Sequence, residues 1–121
     1  LRILRRFVED QRLPAEEPVI VAGDLNLDLR TPEQLGLLLA SLGANLPPLD
    51  LSDGAFTYDG ERNPLARSGV RRWVDYVLLL RGHTVPAWSR LRALPLPGLS
   101  DHFPVEGTFV FPPASAGGSR P

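Results

Sequence analysis

Leu1, Leu4, Phe7 and Val8 recur at helical spacing, with Arg5, Arg6, Glu9 and Asp10 on the opposite side. The pattern predicts an amphipathic helix that stops before Pro14. Pro18-Val19-Ile20-Val21-Ala22 is a short apolar run with β-branched residues, which predicts a buried strand bounded by Gly23. Thr31-Pro32-Glu33-Gln34 predicts a helix start, with Thr31 as N-cap, Pro32 at the first helical position and Gln34 three residues after the cap. That helix runs from Leu35 to Leu42 and meets Gly43 as its stop. Residues 44–72 carry Pro47-Pro48, Asp53-Gly54, Asp59-Gly60 and Asn63-Pro64, so they read as loop with one brief strand at Ala55–Tyr58. Trp73–Leu80 is aromatic and β-branched, a central strand. Arg81-Gly82-His83 turns the chain and Trp88–Leu94 returns as a strand. After a Pro95–Ser100 loop, Phe103–Phe111 alternates as a last strand with Phe103, Val105 and Phe109 on one face. The Pro/Gly/Ser-rich residues 112–121 read as a disordered tail. This layout predicts an α/β fold over residues 1–111, part of a sandwich whose remaining strands lie elsewhere. Val77, Leu79 or Phe109 should then be exposed for want of a covering layer.

Composition narrows the classes. The 121 residues suit one domain, and a hydrophobic fraction of 43% excludes a disordered chain. With 0 Cys, disulfides and thiolate metal sites are excluded. No stretch approaches the roughly 18 apolar residues of a membrane-crossing helix. There is no Met, and Leu1-Arg2-Ile3 reads as helix interior, so the sequence reads as an excerpt of a longer protein. All 13 basic residues are Arg, which suggests a GC-rich genome. Residues 1–61 hold 11 acids and 5 Arg, whereas residues 62–121 hold 3 acids and 8 Arg. The basic second half could attract phosphate, although a solvated arginine-rich surface explains the same composition.

Three short segments concentrate polar groups at strand ends. In Gly23-Asp24-Leu25-Asn26, residues two apart in an extended chain share a face, so Asp24 and Asn26 would offer a carboxylate and an amide oxygen together. Oxygen donors suit a hard cation such as magnesium. The alternative is an Asx turn closing the strand. In Trp73-Val74-Asp75-Tyr76, a carboxylate inside an apolar strand needs a partner: an Arg such as Arg72, a His or a metal. In Ser100-Asp101-His102-Phe103, a His beside an Asp is a candidate general base, the alternative being an exposed turn. His83 lies in a turn and reads as ordinary.

Taken together, Gly-Asp-x-Asn after a strand, Asp-Tyr in a later strand and Ser-Asp-His before the last strand resemble the endonuclease/exonuclease/phosphatase superfamily. The resemblance covers roughly Leu1 to Phe111. It implies the C-terminal part of a four-layered, DNase-I-like α/β sandwich. Within that superfamily, Phe56-Thr57-Tyr58-Asp59, Asn63-Pro64-Leu65-Ala66, Trp73 two residues before Asp75, and Gly82-His83 with Pro86-Ala87-Trp88 resemble bacterial sphingomyelinase C.

That resemblance implies a secreted, magnesium-dependent hydrolase that cleaves sphingomyelin into ceramide and phosphocholine, with peripheral membrane contact. It implies His102 as general base, Asp75 as the carboxylate that orients it, and Asp24 and Asn26 holding phosphate oxygens. It also implies Asp24, Asn26 and Asp101 at Mg2+, and Asn63 and Trp73 on the substrate side. The superfamily's principal metal-ligand Glu, an Asn near it and a second His have no match here, so the isolated fragment is expected to be inactive. The aromatic hairpin of secreted sphingomyelinases is also unmatched, because Ser89 to Leu99 contain no aromatic residue. Two rivals stand beside this reading: a nuclease using the basic second half to bind nucleic acid, and a non-catalytic remnant of the superfamily.

Overall fold

The computed structural model describes residues 2–113. Most of the expected tail lies outside the described residues; Pro112 and Pro113 are exposed. Helix α1 (Arg2–Asp10) ends before Pro14, and α2 (Pro32–Leu42) starts on Pro32. Gly43 closes α2 in the left-handed conformation, φ 66°, a region that favours glycine. The start of α2 departs from the expected capping box. Thr31 makes no side-chain cap bond; its hydroxyl donates to the Asp28 carbonyl at 2.6 Å instead.

Strand β1 (Ile20–Asp24) begins two residues later than its apolar run and carries the chain through Gly23 to Asp24. It pairs antiparallel with β6 (Asp75–Leu80), and the register ends with Asp24 opposite Asp75. A two-residue strand, β2 (Ala44–Asn45), flanks the other edge of β6, which is therefore central as the pattern required. A second sheet has the order β3 (Leu49–Asp50), β7 (Trp88–Ala93), β8 (Val105–Val110). A small ribbon pairs β4 (Tyr58–Asp59) with β5 (Arg71–Arg72). Strands β2, β3 and β5 fall where the sequence pattern predicts loop, because two residues are too few to show alternation. The strand expected at Ala55–Tyr58 shifts to Tyr58–Asp59. Thr57 has its hydroxyl and carbonyl engaged elsewhere, as described below.

The core joins Leu35, Leu38 and Leu42 of α2 to Tyr76 and Leu78 of β6 and Leu91 and Ala93 of β7, with Trp73 among them. Two burial expectations need correction. Leu79 is buried, at 6% exposure, and Val77 and Phe109 are half-buried against the core. Uncovered apolar side chains include Ile3 and Phe7 of α1, Leu37 of α2, and Ile20 of β1, which is 45% exposed. Thus β1 is an exposed strand, although its composition reads as buried.

Candidate active site

The site is assembled where β1 and β6 end beside the approach to β8. Asp24 and Asp75 are brought opposite each other by the antiparallel register of β1 and β6. Beyond Asp24 the chain does not stay extended. Asn26 takes a left-handed backbone, φ 55°, and its N–H donates to Asp24 Oδ1 at 2.8 Å. This is an Asx turn, and Asn tolerates that conformation better than most residues. Asp24 and Asn26 therefore come together through a turn, not through strand alternation. The turn is tied down by backbone bonds from Leu25 N–H to Val74 O and from Leu29 N–H to Trp73 O, at 2.9 and 3.0 Å. The Tyr76 hydroxyl reaches the Leu27 and Trp73 carbonyls at 2.7 and 2.9 Å. Burial, with the charges of Asp28 and Asp75, pushes the Tyr76 phenol far up, so it stays a neutral donor.

His102 meets Asp75 across this edge. Its Nδ1 lies 2.7 Å from Asp75 Oδ2. A carboxylate only accepts, so Nδ1 carries the proton and Nε2 is left for another partner. Burial disfavours the imidazolium. The hydrogen bond to Asp75 and the charges of Asp75, Asp24 and Asp101 outweigh it and raise the His102 pKa above its ordinary 6.5. Tyr58 packs its ring edge-on against His102, with centroids 5.3 Å apart. One donor atom from each of Asp24, Asp75 and His102 lies within 4.8 Å of the others. Asp24 has no ion-pair partner among the described residues. Two carboxylates this close, with one imidazole beside them and no arginine paired to either, suit a hard cation. A cavity of about 280 Å³ adjoins the cluster, lined by Asn26, Tyr58, Arg72, Val74 and His102 among others.

Of the expected site residues, Asp24, Asn26, Asp75 and His102 gather here. Three do not fit the roles expected of them. Asp101 accepts the Ser100 hydroxyl at 3.2 Å and stands apart from the cluster of Asp24, Asp75 and His102. Asn63 is buried. Its amide donates to the Ser100 carbonyl at 2.9 Å while its oxygen accepts the Leu65 N–H at 3.1 Å, so both ends are used inside the fold. Trp73 has 0% exposure and belongs to the core, out of reach of any substrate. Arg72, the alternative partner of Asp75, makes no ion pair among the described residues. Tyr58 and Arg72 were missed as site residues. Their signal is faint, because long-range ties bring them here: β4 pairs with β5, and the Phe103 N–H bonds the Thr57 carbonyl beside Tyr58.

The fold, the clustered carboxylates and the oriented histidine define a class of protein. The chain belongs to the Endonuclease/Exonuclease/phosphatase family, whose model matches residues 1–102. Sphingomyelinase C of Leptospira interrogans is 26% identical over 129 residues, covering 93% of this chain and 22% of that protein. Among solved structures, sphingomyelinase C from Streptomyces griseocarneus is 25% identical with a TM-score of 0.72, covering 88% of this chain and 42% of that one. A beta toxin of Staphylococcus aureus with bound magnesium ions is 22% identical with a TM-score of 0.74, covering 90% of this chain and 43% of that one. The fold is the DNase-I-like α/β fold of these proteins, and the chain corresponds to their C-terminal part. It thus spans about a fifth of its curated relatives' length and about two fifths of the solved structures. Among the described residues no helix is long and apolar enough to cross a membrane.

Proposed function

We propose that this chain carries the base-bearing part of a magnesium-dependent phosphodiesterase that cleaves sphingomyelin into ceramide and phosphocholine. The observation that carries the reading is the 2.7 Å bond from His102 Nδ1 to Asp75, with Asp24 alongside. In it, Asp75 fixes the imidazole's tautomer and orientation. The free Nε2 takes a proton from water as the water oxygen bonds to phosphorus in line and the ceramide oxygen departs. Asp24 and the Asn26 amide oxygen would hold Mg2+, which when bound offsets the negative charge that builds at phosphorus. The sphingomyelinase relatives support the lipid, and the magnesium-bound beta toxin supports the metal. Such a substrate places the enzyme outside the bacterial cell and against a lipid surface.

The test uses the intact parent protein. Phosphocholine release and plasmid nicking are assayed with and without chelator. Phosphocholine release abolished by chelation is the expected outcome. His102→Ala should lower it by about two to four orders of magnitude, the usual worth of a general base. Nicking without phosphocholine release overturns the lipid, and activity that survives chelation overturns the metal.

A further inference from the structure

Asp75 and His102 are 27 residues apart. Asp75 opens β6, and His102 precedes β8, which belongs to a different sheet. Ladder hydrogen bonds therefore do not set the distance between them, and a 2.7 Å contact needs another tie. Thr57 provides it. Its side chain is fully buried, with 0% exposure. Its Oγ1 accepts the N–H groups of Val74 at 2.9 Å and of Asp75 at 3.2 Å. Its carbonyl accepts the N–H of Phe103, the neighbour of His102, at 2.7 Å. One residue thus grips the backbone beside both members of the pair. Asn63, five residues beyond Tyr58, holds the other end of the Ser100–Phe103 segment through the Ser100 carbonyl. A hydroxyl oxygen has two lone pairs, enough for both N–H groups. Valine has the same shape and none, and would leave two buried donors unpaired.

We propose that Thr57 is a positioning residue that sets the contact between Asp75 and His102. The proposal deepens the reading above and rests on that pair acting as orienter and base.

Its test is spectroscopic and uses the 121-residue chain, so it does not depend on turnover. The probe is the hydrogen-bonded Nδ1 proton of His102, with the exchange rates of the Val74, Asp75 and Phe103 amides. Thr57→Val should abolish the Nδ1 proton signal and speed Val74 and Asp75 exchange at least tenfold, whereas Thr57→Ser should keep both. Leu35→Ala, which opens the core at α2 away from the pair, should leave the Nδ1 signal in place. An unchanged Nδ1 signal in Thr57→Val, or its equal loss in Leu35→Ala, overturns the proposal. Should Thr57→Val not fold, the unmodified chain still decides. The Nδ1 proton must then be lost only through openings that also expose the Val74 and Asp75 amides, and its exchange while those amides stay protected overturns the clamp. If the clamp holds but His102→Ala leaves the parent's phosphocholine release intact, the positioning is right and the catalytic reading fails.

Discussion

His102 donates through Nδ1 to Oδ2 of Asp75, and the same carboxylate faces Asp24 across the β1–β6 register. One imidazole is thus shared between an orienting partner and a field of negative charge.

That field gives a pH dependence with a definite sign. Although burial opposes it, the raised pKa of His102 is carried by Asp75 first and by Asp24 and Asp101 after it. In the proposed reaction His102 works when neutral, so phosphocholine release should climb as pH rises through a value above 6.5. Asp75→Asn should return the His102 titration, followed by NMR, toward 6.5. The stabilisation from the imidazolium is complete below 6.5 and is lost as pH rises through the raised folded value. In Asp75→Asn that loss on the alkaline side should largely vanish from melting curves.

Magnesium should bind through the carboxylates that lack an arginine. Titrating Mg2+ into the chain should shift the amide resonances of Asp24 and Asn26. Asp24→Ala should weaken that response at least tenfold, whereas Asp50→Ala, at an acid paired with Arg90, should not. Equal weakening by both would place the cation elsewhere.

The β4–β5 ribbon beside the site is braced by an ion pair. The Asp59 carboxylate is buried and accepts Arg71 Nε and Nη2, both at 3.0 Å, as well as the N–H groups of Phe56, Glu61 and Arg62. Burial works against its charge, and Arg71 with these N–H donors overcomes it and holds its pKa below the ordinary 3.8. Arg71→Ala should cost about 3 kcal/mol, because it strands a buried charge, and chemical denaturation measures it. The Asp59 contribution is complete above 3.8 and is lost as pH falls through its depressed folded value. Acid unfolding of the Arg71→Ala chain should accordingly be less steep.

Tyr76→Phe removes the hydroxyl that reaches the Leu27 and Trp73 carbonyls. The expected loss is about 1 kcal/mol, the usual worth of one such bond. Faster amide exchange should be confined to residues 25–29. Exchange that is unchanged there would mean that Leu25 and Leu29 hold the turn alone.

The order of helix, strand, helix and later strands was legible because each long element has its own period and its own stops: Pro14 after α1, Pro32 and Gly43 around α2, and β-branched residues in β6. Asp75 was legible as a residue needing a partner, since a carboxylate in an apolar strand is costly alone. What stayed hidden depends on long-range pairing. The strands β2, β3 and β5 are two residues each, and nothing local marks them. The resemblance alone puts Trp73 and Asn63 on the substrate side, and aromatic rings and amides serve recognition and packing equally well. Only burial separates the two uses. Thr57 enters the sequence only as part of the Phe56–Asp59 motif, and its positioning role is hidden because the groups it joins lie 17 and 46 positions away along the chain.

Gly60 lies between the two halves of the β4–β5 ribbon, where its N–H donates to the Val70 carbonyl at 2.9 Å. A methyl group placed on it would sit 1.8 Å from the Ser68 carbonyl oxygen and 2.7 Å from the Gly69 Cα. Any side chain there must prise the ribbon open, and with it the residues that frame His102. In a saturation library scored for function, Gly60 would therefore rank with the chemistry-bearing positions, although it has no group that could bind or react.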